Sequence, residues 1–212
     1  MTLPISPLHL PTRRAAAEVI ANTVLMAFAG GLLSACAPEK PHFQSVDLTG
    51  ADYASGFALT DHHGKTRTLK DFAGKAVVVF FGFTQCPDVC PTSMVELAQV
   101  QKLLDPDGDK LQVIFVSIDP DRDTQEVLKA YMANFDPRFI ALRPTSTQLI
   151  AVARDFKIYY KKVDGATPSS YSMDHTAGSY VFDRKGHVRL FTRYGGGTDM
   201  LVSDLRQLIK SG

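Results

Sequence analysis

Ala76-Val77-Val78-Val79-Phe80-Phe81-Gly82-Phe83 runs without a charge into Thr84-Gln85-Cys86-Pro87-Asp88-Val89-Cys90-Pro91. A run that is apolar at every position, not at alternate ones, reads as a central strand covered on both faces. The thiols follow where this strand hands over to a helix, the place where α/β folds collect their chemistry. Two thiols four positions apart can close a disulfide or hold one soft metal ion. The compartment and a third ligand decide between these outcomes.

Working downstream, a helix is predicted from about Thr92 to Leu104. Pro91 suits its first turn, Ser93-x-x-Glu96 offers a capping box, and Leu97, Val100 and Leu104 supply an apolar face. Leu111 to Ile118 reads as a second buried strand, ending at Asp119-Pro120-Asp121-Arg122-Asp123. A helix from about Thr124 to Asn134, a short strand from Phe139 to Leu142 and a helix from Thr145 to Phe156 follow. Residues 157–174 are polar and read as irregular apart from Ile158-Tyr159-Tyr160. Gly178 to Asp183 and His187 to Thr192 form a hairpin pattern, and the last helix spans about Asp199 to Lys210. Upstream, Phe57 to Thr60 and Thr66 to Leu69 flank Asp61-His62-His63-Gly64, a hairpin whose histidines read as solvated turn residues. The order is hairpin, βαβα, short strand, α, then ββα. It matches a thioredoxin-like α/β fold: a central mixed sheet flanked by helices, with an N-terminal hairpin and a mid-chain helix/strand insertion.

The 212 residues suffice for one domain with a sizeable core, and the net charge of +1 offers no basic stripe for nucleic acid. No tryptophan is present to build a base-stacking platform. The front end is different in kind. Arg13 and Arg14 precede a mostly apolar stretch from Val19 to Leu33, and Leu33-Ser34-Ala35-Cys36 places small residues directly before a cysteine. This resembles a bacterial lipoprotein signal in which Cys36 carries the lipid. The competing assignment is a plain transmembrane anchor, for which the stretch is short. A twin-arginine export signal has only Arg13-Arg14 in its favour, since alanines follow. The expected layout is a signal or anchor at 1–36, a tether at 37–55 and a folded domain at 56–212. It holds the domain at the bacterial membrane, facing the periplasm, where disulfides persist. Of three cysteines, Cys86 and Cys90 then remain as a pair.

Cysteines at a helix N-terminus are expected to have lowered thiol pKa values, and thiolate both attacks disulfides and binds metal. In a thioredoxin-like plan the segment entering the penultimate strand faces the cysteine motif. That segment holds His175, whose alternative role is a hydrogen-bonded loop histidine. Two thiolates and one imidazole form a soft three-coordinate set suited to Cu(I). Structural zinc takes four ligands and an iron–sulfur cluster four cysteines, while a catalytic zinc completed by water stays open. Met173 is better placed as core than as a further ligand. Asp119 is expected to cap the next helix or order Arg122, and Gly195-Gly196-Gly197 to form a turn. His187 and His42 are expected to be exposed.

Three ordered blocks resemble the Sco copper chaperones, also called the SenC family. They are Phe81-Gly82-Phe83-Thr84-Gln85-Cys86-Pro87-Asp88-Val89-Cys90-Pro91, Ser117-Ile118-Asp119-Pro120-Asp121-Arg122-Asp123-Thr124 and Tyr171-Ser172-Met173-Asp174-His175-Thr176-Ala177. The front pattern Phe57-x-Leu59-x-Asp61-x-x-Gly64 with Asp71-Phe72-x-Gly74-Lys75 also fits. The likeness runs from about Gly56 to the C-terminus. It implies copper bound by Cys86, Cys90 and His175. It also implies help in assembling the dinuclear copper centre of cytochrome c oxidase subunit II, with copper received from a donor protein or an ion pool. Some relatives carry Thr-His where this chain has Thr84-Gln85, a position that is not a ligand in the family. A thiol–disulfide reductase that keeps the oxidase cysteines reduced is the rival reading, and a peroxidase a weaker third.

Overall fold

The computed structural model describes residues 41–167 and 170–211, so the signal-like segment with Cys36 lies outside the described residues. In chain order the strands are β1 (Val46–Asp47), β2 (Ala58–Asp61), β3 (Thr66–Thr68), β4 (Ala76–Gly82), β5 (Leu111–Ser117), β6 (Ile140–Arg143), β7 (Tyr160–Val163), β8 (Ser172–His175), β9 (Gly178–Phe182) and β10 (Val188–Arg193). The helices are α1 (Val89–Leu103), α2 (Gln125–Met132), α3 (Ser146–Asp155) and α4 (Thr198–Ser211). One sheet has the order β1-β10-β9-β4-β5-β6-β2-β3, and β7 pairs with β8 in a separate ribbon. Within the large sheet β4, β5 and β6 run parallel, while β9 lies antiparallel to β4. This is the expected mixed sheet, and the front hairpin docks on the inserted strand through antiparallel pairing of β2 with β6.

The core follows from the apolar strands. Every residue of β4 and of β5 is buried. Successive side chains point to opposite faces, so Phe80 meets Phe115 at 6.1 Å between ring centroids, while neighbouring Phe81 meets Phe156 at 5.1 Å. Helices α1 and α4 lie on the Phe80 side, where Leu97 and Leu201 line one small cavity with it. The capping box Thr145-x-x-Gln148 forms as expected at the start of α3.

Three expectations need correction. The segment 37–55 is not wholly a tether: β1 pairs with β10, Ala54 is buried, and the buried Asp204 carboxylate accepts from the amides of Gln44 and Ser45 at 2.9 and 2.8 Å. A two-residue strand inside a polar stretch carries no periodic signal. Helix α1 starts at Val89, not Thr92, because Pro91 is tolerated anywhere in a first turn whose N–H groups lack helical partners. Ser93 is therefore inside the helix and buried, and the Ser93–Glu96 box does not form. Residues 157–174 include the ribbon β7–β8, whose burial pattern lacks a sealed face.

Replacing Asp204 with alanine should leave the Gln44 and Ser45 amides without their acceptor, at a cost of about 1–3 kcal/mol. Hydrogen exchange should then speed up at those amides and remain slow in β4. Unchanged exchange at Gln44 and Ser45 would contradict this account of the docking.

Candidate metal centre

The cysteine loop begins where β4 ends. A Cβ at Gly82 would fall 2.8 Å from Phe80 and 2.9 Å from both Phe115 and Cys90 Sγ, so only glycine lets the sulfur pack against the strand. Cys90 sits in the first turn of α1 and is fully buried, while Cys86 is half-buried. Both are free thiols, and the Cys90 amide donates to Cys86 Sγ at 3.4 Å. The expected lowering of the thiol pKa does not hold for Cys90. Burial pushes it up, with the neighbouring Cys86 adding to the effect and a backbone hydrogen bond at Phe83 only partly offsetting it. Desolvation is the largest influence because the Cys90 sulfur is buried.

His175 closes β8 and lies just ahead of β9. The register Phe80↔Ser179 sets β9 against β4, which carries the residues preceding β9 to the level of the cysteine loop. Cys90 Sγ stands 3.6 Å from His175 Nε2. Nδ1 is 3.0 Å from the Thr176 carbonyl. A carbonyl can only accept, so Nδ1 carries the proton and the Nε2 lone pair faces the sulfur. Phe80 and Phe83 meet the ring edge-on at 6.3 and 6.0 Å. Burial lowers the His175 pKa and favours the neutral imidazole that binds metals, although the Thr176 contact and Asp174 act the other way. The donor atoms of Cys86, Cys90 and His175 all lie within 4.8 Å of one another. Bonds of about 2.0–2.3 Å, as for zinc, would space three trigonal donors roughly 4 Å apart, so the set fits one ion.

A polar frame surrounds these donors. Asp123 accepts from Thr84 Oγ1 and from Ser117 Oγ, each at 2.6 Å, and its burial raises the carboxyl pKa against those bonds. Arg122 pairs with Asp119, as expected from the sequence, and Asp119 also accepts from the Tyr171 hydroxyl at 2.8 Å. That hydroxyl's pKa is pushed up to about 12 by burial and by the bond to Asp119. Asp119 does not cap α2; Thr124 does, accepting from the Val127 amide. The roles of Asp123 and Tyr171 are not readable residue by residue. Their signal is that each lies in one of the two blocks that follow the cysteine motif in the likeness.

The remaining candidates lie elsewhere. His62 is buried, not solvated: its Nδ1 accepts from the Ala141 amide at 2.9 Å and ties the β2–β3 turn to β6. His63 and His187 are exposed, and His187 lies 3.7 Å from Asp183. Met173 packs against the core. No helix among the described residues is long and apolar enough to cross a membrane.

The family model described as SCO1/SenC matches residues 46–210. A SCO2-like protein of Rickettsia felis is 35% identical over 158 residues, covering 73% of this chain and 77% of its own. Bradyrhizobium japonicum ScoI, solved with copper bound, is 38% identical with a TM-score of 0.66, over 72% of this chain and 97% of that one. BsSco, described as a member of the Sco family of cytochrome c oxidase assembly proteins, shares the fold at 22% identity and a TM-score of 0.60, over 81% and 99%. A match over most of the folded domain, spanning all three blocks that frame the thiols and the imidazole, leads to one conclusion: the chain belongs to the SCO1/SenC family.

Proposed function

We propose that this chain is a copper carrier that holds one ion as cargo on Cys86, Cys90 and His175 and delivers it during cytochrome c oxidase assembly, with the copper-binding subunit II as recipient. One observation carries the reading: His175 Nε2 lies 3.6 Å from Cys90 Sγ with its other nitrogen tied to a carbonyl. An outer partner of that kind fixes the tautomer and aims the lone pair. Two sulfurs and one imidazole favour Cu(I) over Cu(II), and the relative ScoI was solved with copper bound. The Cys90 thiol must lose its proton when an ion binds, so loading is coupled to proton release. Arg13, Arg14 and the stretch ending at Cys36 support membrane tethering by a lipid on the periplasmic side.

The free thiols favour a second reading, reduction of a target disulfide. In that reaction one thiolate attacks a target sulfur and forms a mixed disulfide, expelling the other target sulfur as a thiolate. The second cysteine then closes the Cys86–Cys90 bond, and the target leaves with both sulfurs reduced. Cys86, the more exposed thiol, is the attacking sulfur in this scheme. The scheme and copper carriage are compatible, since the thiols must be reduced before an ion can bind.

Titration of the reduced protein with Cu(I) against a competing chelator tests the carrier. The wild type should bind one equivalent. His175→Ala should weaken binding at least a hundredfold, beyond the ~10–100-fold typical of losing an outer-sphere partner. Equal affinity in the two proteins would remove His175 from the site. For the second reading, metal-free Cys90→Ser incubated with a small disulfide should stall as an adduct on Cys86, read by peptide mass spectrometry. A Cys86→Ser protein that forms the adduct faster on Cys90 would reverse the assigned order.

A further inference from the structure

Gln85 and Tyr171 have nothing in common in sequence, yet one side chain holds both. Arg122 Nη1 donates to Gln85 Oε1 at 2.9 Å and to the Tyr171 carbonyl at 2.8 Å, while Nε donates to Asp119. Gln85 directly precedes Cys86, and Tyr171 directly precedes β8, the strand that ends at His175. The guanidinium carbon lies over the Tyr171 ring, 3.5 Å from its centroid, and 5.9 Å from that of Phe83. Asp119 binds Arg122 through one oxygen and the Tyr171 hydroxyl through the other.

The ribbon touches the core through Tyr160 and Met173 but stands apart from the large sheet. Among the described residues β8 pairs with β7 alone, and neither strand joins the large sheet. At the His175 end the ribbon's own ladder extends by one pair, the amides of Tyr159 and Thr176 being bonded to Thr176 Oγ1 and the Tyr159 carbonyl at 3.0 Å each, and the chain runs on into β9. At the Ser172 end, away from His175, Tyr171 is bonded to Arg122 and Asp119, which ties the ribbon to the loop before Cys86. The cysteine loop depends on the same junction, since Thr84 is held by Asp123 and Gln85 by Arg122.

Resting on the reading of Cys86, Cys90 and His175 as one site, we propose that Arg122 is a positioning residue that locks the cysteine loop and the histidine ribbon to each other, so that the metal-free protein already holds its donors at binding distance. The planar fork is what allows this. Two nitrogens of one rigid plane, Nε and Nη1, serve three acceptors in a fixed arrangement while the group lies over Tyr171; a lysine ammonium keeps the charge beside Asp119 but has no such plane. Gln85, where some relatives have histidine, meets the clamp with an amide oxygen that does not titrate.

The test uses Arg122→Lys, which spares Asp119 an unpaired charge, alongside Gln85→Ala. Two quantities are read. The first, in the reduced metal-free proteins, is the proton shift of the His175 ring, which lies edge-on to Phe80 and Phe83 and so reports its own placement. The second is Cu(I) affinity by chelator competition. Arg122→Lys should lose the ring-current shift of His175 and bind Cu(I) at least tenfold more weakly, with its thermal midpoint close to that of the wild type. Gln85→Ala frees only the cysteine loop. It should keep the His175 shift and lose affinity by a smaller factor. An Arg122→Lys protein with the parental His175 shift and an affinity within twofold of the parent would overturn the clamp, as would one that melts earlier with both readouts unmoved. A wild type that binds no Cu(I) would sink the copper reading instead, and the metal-free His175 shift would still decide the role of Arg122.

Discussion

Four cross-strand pairs between β4 and β9, from Val77↔Phe182 to Phe80↔Ser179, fix where the imidazole stands. β4 leads upward into the cysteine loop, and β9 descends from the ribbon that carries His175. Because they are antiparallel and paired in this register, residues 85 apart in sequence come within 3.6 Å. A slip of one residue would displace the histidine by about 3.4 Å and turn the β9 side chains to the opposite face. The burial of all seven β4 residues and all five β9 residues makes that slip costly, so the core itself specifies the geometry of the site.

Electrostatics then shape what the site can do. Burial holds Cys90 as a thiol and His175 as a neutral base in the metal-free protein. A buried thiolate would be costly without a cation, and a soft ion removes that cost by replacing the proton. Cys86 is more exposed and packs only partly against the core. Its sulfur can meet an incoming donor or a target while the fully buried Cys90 stays fixed. On the proposed function, one fully buried donor beside two half-buried ones suits cargo that must be taken up and released.

The sequence carried much of this and missed the rest for identifiable reasons. β4 and β5 are legible because they are apolar at every position, and the helix after Cys86 because Pro91 and the Leu97–Val100 spacing mark it. His175 is legible only through the topology and the block around it, since a lone histidine has no signature of its own. The ribbon β7–β8 escapes because Tyr160-Lys161-Lys162-Val163 seals no face, and β1 because two residues cannot show a period. His62 reads as solvated and is buried, because a turn sequence does not reveal that a neighbouring strand will cover it. The Arg122 junction is made of long-range polar bonds, which leave no periodicity at all.

X-ray absorption at the copper edge of the reduced, loaded protein tests the central claim most directly. The account predicts a shell of two sulfurs and one nitrogen, with the outer scattering of an imidazole ring that disappears in His175→Ala. A shell of sulfur alone, or imidazole scattering that survives the loss of His175, would contradict it.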